Sequence, residues 1–197
     1  MKKIILVIFL LFSALPAAHA EFERIVSLAP ETTEILFSLG LDEEIVGVSS
    51  FCNYPAAALK KEQVGSFSRP NIEKIISLKP DLVLLTGLEQ QEISWALNKL
   101  NIKTMQVYPS STAEFIQAIE KLGEALNRQR QARAEIRNLN KSIHDMEAKI
   151  KDVPHNKRPK IYMEIWHDPL ITAGGSSFLG EIIEMAGGIN IAGQLNK

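Results

Sequence analysis

The amino-acid sequence predicts an α/β protein in which a first lobe is joined by one long helix to a second lobe. Apolar strands alternate with amphipathic helices from residue 24 to residue 126, a pattern typical of βαβ units and a mainly parallel sheet. A polar segment over 128–151 carries a narrow apolar stripe, which predicts the long helix. A strand and a helix follow, but the range 159–197 falls below the roughly 40 residues that usually support a core, so we expect an incomplete second lobe.

The first twenty residues predict a secretory signal peptide. Two lysines at positions 2 and 3 precede an apolar run, and Ala-His-Ala at 18–20 matches a small-residue cleavage site. A membrane anchor is the alternative, but the apolar run is short and a cleavage site follows it. We therefore expect an exported chain whose mature form begins near Glu21.

The first lobe is assigned to residues 21–126. Its predicted strands are 24–28, 45–48, 82–85 and 104–107. Its first helix opens at Pro30 and ends at Gly40. Further helices are predicted over 71–78 and 89–100, and a capping box over Ser111–Glu114 begins another. The segment 49–70 is predicted as a polar, aromatic loop.

The long helix is assigned to residues 127–153. Its apolar positions recur at alternating spacings of three and four residues, at Ala132, Ile136, Leu139, Ile143, Met146 and Ile150. A coiled coil is the alternative, but the stripe covers only about three heptads and polar residues fill most flanking positions. We interpret the segment as a spine that lies along the protein.

The partial second lobe is assigned to residues 154–197. A strand is predicted over 160–165, and "WHDPLITAGGSS" over 166–177 is predicted as a loop. The segment "FLGEIIEMAGG" predicts a helix that ends at Gly187-Gly188.

Composition excludes several classes of function. The formal net charge is −1 and no basic stripe dominates, so we expect no nucleic-acid partner. The chain has one cysteine, Cys52, which cannot form an internal disulfide and is expected to be a partly buried small apolar residue. The sequence contains none of the glycine-rich motifs that cradle phosphates, so nucleotide binding has little support.

Aromatic residues follow the ends of the predicted strands. They are Phe51, Tyr54, Phe67, Tyr108 and Trp166. Ligands of open parallel sheets bind beyond the carboxyl ends of the strands, and aromatic rings there suit a large, flat or apolar ligand. The alternative is that these rings seal the edges of the core. Trp95 lies inside a predicted helix and is interpreted as a packing residue.

Two further groups bear on the chemistry of the ligand. Arg69 is suited to an anionic chelate, although a solvated arginine is the more common case. His167 with Asp168 is suited to orienting a metal ligand or a catalytic base, although an aspartate before Pro169 is more often a turn former. No further metal ligand stands at a suitable spacing, so neither a metal site nor a resident cofactor is expected.

Three segments carry a family resemblance. They are "RIVSLAPETTEILFSLGLDEEIVGVSSFCNYP", "VGSFSRPNIEKIISLKPDLVLLTG" and "HDPLITAGGSSFLGEIIEMAGGINIAG". In this order they resemble the ABC-importer substrate-binding proteins that bind cobalamin, ferric siderophores and haem, and the cobalamin binders most of all. The resemblance implies a class III periplasmic binding protein, with two Rossmann-like lobes joined by a single spine helix and the ligand between them.

The resemblance also implies roles for particular residues. Phe51, Tyr54 and Phe67 fall at ligand positions of the first lobe, and Trp166 falls on a facing loop of the second. Glu73 falls at the position of a surface glutamate that docks with arginines of the membrane permease. Relatives continue well beyond "GGINIAG", so the resemblance implies that this chain is truncated at its C-terminal end.

The sequence therefore predicts a monomeric, non-enzymatic periplasmic carrier that delivers cobalamin, or a related metal chelate, to an ABC permease. Ferric siderophore and haem are the alternative ligands. A periplasmic enzyme that uses His167 and Asp168, and a poorly folded remnant without activity, are alternatives of other classes.

Overall fold

The computed structural model describes residues 22–87 and 90–195. The predicted signal peptide over 1–20 lies outside these residues. The helices are α1 Pro30–Ser38, α2 Ile72–Ser77, α3 Gln91–Lys99, α4 Thr112–Ala125, α5 Gln129–Ile150 and α6 Phe178–Met185. The strands are β1 Ile25–Ser27, β2 Ile45–Val48, β3 Glu62–Gln63, β4 Leu82–Leu85, β5 Lys103–Gln106, β6 Lys160–Ile161, β7 Glu164–His167, β8 Leu170–Thr172 and β9 Ile189–Asn190. Among the described helices, none is long and apolar enough to cross a membrane.

The first lobe is built on a five-stranded sheet in the order β3-β2-β1-β4-β5. Every pair of neighbouring strands in this sheet is parallel, which confirms the predicted βαβ arrangement. The prediction of a continuous loop over 49–70 was wrong. A short 3-10 helix forms at Ala56–Lys60, and β3 adds an edge strand beside β2.

Helices cover both faces of this sheet, and the residues of β4 show how the two cores are separated. Leu82 and Leu84 belong to a core shared with α1, α4 and α5, whereas Val83 and Leu85 belong to a core shared with α2 and α3. Successive side chains of a strand point to opposite faces, so a strand that contributes to both cores must be apolar at every position.

The long helix α5 contacts both lobes, as predicted for a spine. Ala132 is buried in the core of the first lobe, and Ile136 and Leu139 pack against that core. Near the other end of the helix, Ile150 lies beside Gly187 at the end of α6. The apolar stripe therefore faces the first lobe at its start and the second lobe at its end.

The second lobe differs from the prediction in two places. The strand predicted over 160–165 is divided into β6, which pairs in parallel with β9, and β7, which pairs antiparallel with β8. The segment predicted as a loop over 166–177 is partly strand, so Trp166 lies in β7 and not in a loop. The helix predicted over 178–188 is confirmed as α6, and Gly187 follows it with φ +84°.

Candidate ligand-binding site

The carboxyl ends of the first-lobe strands lie along one edge of the sheet, because all five strands are parallel. The segments that leave this edge after β1, β2, β4 and β5 therefore lie close together. They carry most of the aromatic side chains that the sequence singled out, so this edge, with the facing part of the second lobe, is the candidate site.

A buried polar network holds the segment that follows β2. The hydroxyl of Thr33 lies 2.8 Å from Ser27 Oγ and 3.2 Å from Cys52 Sγ. Ser49 Oγ lies 3.3 Å from the same sulfur, and all four of these residues are buried. The network joins β1, the first turn of α1 and the 49–54 segment. Cys52 is almost completely buried, which goes beyond the partial burial that was predicted, and its thiol also takes part in hydrogen bonding.

Phe67 lies in a tight turn that is closed at its base by a bridge between Gly65 and Pro70. Within the turn, the Arg69 N–H donates to Ser66 Oγ at 3.1 Å. The carbonyl oxygen of Phe67 accepts a hydrogen bond from the side chain of the buried residue Gln90 at 2.9 Å. The turn is therefore fixed to the carboxyl edge of the sheet, with Phe67 half-buried and Arg69 exposed.

The other aromatic side chains of the site are exposed to solvent. Their exposed fractions are 59% for Phe51, 64% for Tyr54, 65% for Tyr108 and 55% for Trp166. Rings that sealed the core would be largely covered, so sealing does not account for these four. Exposed rings on anchored segments are available for contact with a ligand.

Trp95 was interpreted as a packing residue, and the structure shows that this was wrong. It is 65% exposed on α3, and the ammonium of Lys99 lies 3.3 Å from its ring centroid. The stack partly covers the ring from one side.

A cleft of about 710 Å³ lies between the two lobes. Its first-lobe wall is Tyr108, Pro109 and Ser110. Its second-lobe wall is mostly apolar and includes Ile165, Leu170, Ile171, Phe178, Leu179 and Leu195. The volume and lining are typical of a site for an organic ligand.

None of the five predicted ligand residues lines this cleft. Tyr54 lines a separate cleft of about 630 Å³, which lies between α1, α4 and α5 and also contains Glu31 and Glu135. Phe51, Phe67, Arg69 and Trp166 are not among the lining residues of either cleft. Trp166 follows Ile165, a residue of the interlobe wall, in the same strand.

The hairpin of β7 and β8 contains the two residues considered for catalysis. Asp168 and Pro169 form its turn, and the Asp168 carbonyl accepts a hydrogen bond from the Trp166 indole at 2.8 Å. The His167 ring lies 5.5 Å from the Trp166 ring. Over residues 22–87 and 90–195, no group of three or more metal-ligating side chains is found.

Glu73 is exposed in the first turn of α2, on the first lobe. Its helix is capped by Asn71, whose side chain accepts a hydrogen bond from Lys74 N at 2.9 Å. Lys74 itself forms a salt bridge with Glu62 of β3. The Glu73 carboxylate is therefore presented on a locally well-anchored helix.

The clearest shift of a pKa lies outside the site. Lys141 donates a hydrogen bond to Asp145 on the exposed side of α5, and this contact lowers the pKa of the Asp145 carboxyl. This charged pair therefore lies on the long helix α5 and not on the segments that form the candidate site.

Two α/β lobes that face each other across a cleft and share one long helix define the class of two-lobed solute-binding proteins. The chain matches the model of the periplasmic binding protein family over residues 25–197, and it belongs to that family.

The names of individual relatives mention different ligands. The chain is 32% identical over 177 residues to an ABC transporter substrate-binding lipoprotein of Bacillus subtilis, covering 87% of this chain and 56% of that protein. It is 31% identical over 193 residues to the vitamin B12-binding protein of Vibrio vulnificus, covering 97% of this chain and 69% of that protein. Among solved structures, the S. aureus protein IsdE in complex with haem matches with a TM-score of 0.71 and 28% identity, covering 87% of this chain and 65% of that one. The chain thus spans 56% to 69% of the length of these relatives.

Proposed function

We propose that the protein is the solute-binding component of an ABC importer, and that it binds cobalamin between its lobes and delivers it to a membrane permease. The observation that carries this proposal is the set of exposed aromatic rings on anchored segments at the carboxyl edge of the first sheet and on the facing hairpin. The family to which the chain belongs, and the name of its Vibrio vulnificus relative, support the same assignment.

The proposed binding mode depends on aromatic contact from both lobes. Phe51, Tyr54 and Phe67 are proposed to contribute from the carboxyl edge of the first sheet, outside the walls of the interlobe cleft, and Trp166 from the facing hairpin. Cobalamin contains a broad corrin ring, and flat aromatic side chains offer it a large contact area with few rotatable bonds to immobilise. No covalent step is needed, so His167 and Asp168 are given no catalytic role.

Haem or a ferric siderophore is the second candidate ligand, and Arg69 is the residue that favours it. Its exposed guanidinium lies two residues from Phe67 in the same turn. A guanidinium binds carboxylates in a bidentate geometry, so it would pair with a haem propionate or with an anionic siderophore. The corrin of cobalamin offers less negative charge to this residue.

Delivery to the permease is assigned to Glu73. An exposed carboxylate at the start of a helix is available for pairing with an arginine of a membrane partner, which sets the register and speeds encounter. The same carboxylate also interacts favourably with the positive end of the helix dipole. The two roles are compatible.

The proposal is tested by titrating the purified protein with cyanocobalamin, haemin and a ferric hydroxamate, using calorimetry. We expect saturable binding of cyanocobalamin, and we expect Tyr54→Ala and Phe67→Ala each to weaken it about tenfold, since each removes an aromatic contact surface. Trp95→Ala is the matched control, because it removes a ring of similar exposure from α3 and should leave the affinity unchanged.

The same titration separates the candidate ligands. Arg69→Ala should leave cyanocobalamin binding unchanged, but it should strongly weaken the binding of haemin or another anionic chelate. Binding of haemin alone, with loss in Arg69→Ala, would replace cobalamin by the second candidate. If none of the three compounds binds, the carrier proposal is overturned.

A further inference from the structure

A carboxylate of the second lobe is bonded directly to the N-terminus of a helix of the first lobe. Glu181 on α6 accepts a hydrogen bond from the backbone N–H of Thr112 at 2.8 Å and another from the Thr112 hydroxyl at 2.5 Å. The two residues are 69 positions apart in the chain. Both oxygens of the carboxylate are therefore used by one residue of the other lobe.

The bonded N–H is one of the groups that a helix leaves unsatisfied at its start. The capping residue Ser111 accepts a hydrogen bond from Glu114 N at 3.1 Å, so its side chain serves a different donor. Glu181 completes the cap from outside the helix, and its negative charge interacts favourably with the positive end of the α4 dipole. Beside this contact, the rings of Phe115 and Phe178 pack at 6.1 Å, which adds an apolar contact between the same two helices.

The position of this contact connects it to the interlobe cleft. Ser110 lines the first-lobe wall and precedes Thr112 by two residues. Leu179 lines the second-lobe wall and precedes Glu181 by two residues on α6. The hydrogen-bonded pair therefore lies two residues from a wall residue of the cleft in each lobe.

We propose that Glu181 is a positioning residue that fixes the second lobe against the first and thereby sets the width of the interlobe cleft. Its importance for ligand affinity rests on the proposed function, whereas its effect on lobe position does not. Without the carboxylate, the N-terminus of α4 would lose its cap from the second lobe, and the lobes would sample a wider range of separations.

The positioning role is tested without ligand, on the purified protein. Two measurements are made, the exchange rate of the Thr112 amide and the distance between spin labels at exposed positions 91 and 186. Glu181→Ala should speed exchange of the Thr112 amide about tenfold, since a charge-assisted hydrogen bond is lost, and it should broaden the label distances. Glu181→Gln, which keeps one acceptor oxygen, should lie between Glu181→Ala and the native protein.

Matched variants separate positioning from general loss of stability. Glu184→Gln changes an exposed glutamate on the same helix and should alter neither measurement. Exchange of the Glu114 amide, which bonds to Ser111, should also stay unchanged. Thr112→Val removes the hydroxyl donor and should shift both measurements, whereas Thr112→Ser keeps a hydroxyl and should leave them as in the native protein. The double variant Thr112→Val with Glu181→Gln should differ little from Glu181→Gln alone.

The proposal is overturned if Glu181→Ala leaves the label distances unchanged, even with faster Thr112 exchange, or if Glu184→Gln broadens them equally. The outcome is distinct from failure of the carrier proposal. Broadened label distances in a protein that binds none of the three chelates would uphold the positioning role and reject the proposed ligands.

Discussion

The side-chain amide of Gln90 donates a hydrogen bond to the backbone carbonyl oxygen of Phe67 at 2.9 Å. The same nitrogen lies 3.2 Å from the carbonyl oxygen of Leu28, and the side-chain oxygen accepts from Thr86 N at 2.9 Å. One buried side chain thus connects the ends of β1 and β4 to the turn that carries Phe67. Because buried polar groups need partners, the orientation of this turn depends on Gln90.

Replacing Gln90 by alanine should destabilise the protein and loosen the 66–69 turn. The change leaves buried backbone groups without hydrogen-bond partners, at a cost of about 2 kcal/mol in the free energy of unfolding. Urea denaturation measures this loss. Gln91→Ala is the matched control, because Gln91 is exposed at the start of α3 and its replacement should change stability by less than about 0.5 kcal/mol. Equal losses in the two variants would contradict the role assigned to Gln90.

Gly65 should be irreplaceable at the base of the same turn. Its φ is +105°, and a Cβ there would lie 2.7 Å from the Arg69 carbonyl oxygen and 2.8 Å from Asn71 N. Gly65→Ala should therefore cost about 3 kcal/mol in the free energy of unfolding, because backbone strain and a clash with backbone atoms act together.

Gly40 provides the matched comparison for Gly65. It also has a positive φ, +72°, but a Cβ there would meet nothing within 4 Å. Gly40→Ala should thus cost only about 1 kcal/mol, from the left-handed conformation alone. Similar losses in the two variants, measured by urea denaturation, would show that crowding at Gly65 is unimportant.

The sequence predicted helices and strands correctly where a single local pattern of residues identified them. The range of β4, 82–85, was predicted correctly because a short run of four apolar residues is typical of a strand buried on both faces. The start of α4 was also predicted correctly, because the Ser111 side chain bonds to Glu114 N as a capping residue does. By contrast, Glu62 and Gln63 are both exposed and show no periodicity, so pairing with β2 alone makes them a strand.

Parts of the candidate site depend on contacts that local spacing does not reveal. Gln90 meets Phe67 across 23 residues, and Glu181 meets Thr112 across 69. Neither pair produces a periodic pattern or a motif. The exposure of Trp95 was missed for a related reason, since a position inside a predicted helix does not show which face the remainder of the fold covers. The predicted ligand roles of Phe51, Tyr54, Phe67, Arg69 and Trp166, and the lobe boundaries, stay predictions.

Arg128 and Glu44 should stabilise the attachment of the long helix to the first lobe. Arg128 immediately precedes α5, and its guanidinium lies 2.7 Å from the Glu44 carboxylate, with both side chains mostly covered. Replacing either residue by glutamine should cost about 1 kcal/mol, and the double variant should cost less than the sum of the two. Denaturation of the four proteins of this cycle measures the coupling.

The exposed pair on α5 serves as the control for this cycle. Lys141 lowers the pKa of Asp145, but both side chains are largely solvated. Lys141→Gln and Asp145→Asn should therefore leave the denaturation midpoint unchanged at neutral pH, because solvent screens the pair. A loss as large as that for Glu44 and Arg128 would mean that burial does not distinguish the two pairs.

The docking role proposed for Glu73 predicts that Glu73→Gln weakens binding to the permease and changes stability no more than the same replacement at another helix start does. The measurement is saturable binding of the purified protein to membrane vesicles prepared from its native bacterium. We expect the affinity to fall about tenfold, because the substitution removes the charge that would pair with an arginine of the permease. Glu92→Gln is the matched control, since Glu92 occupies the equivalent first-turn position of α3, is also exposed, and interacts similarly with its helix dipole. Both variants should unfold at the same urea concentration. Equal vesicle binding by the two variants would leave Glu73 with a helix-stabilising role alone and would reject its assignment to docking.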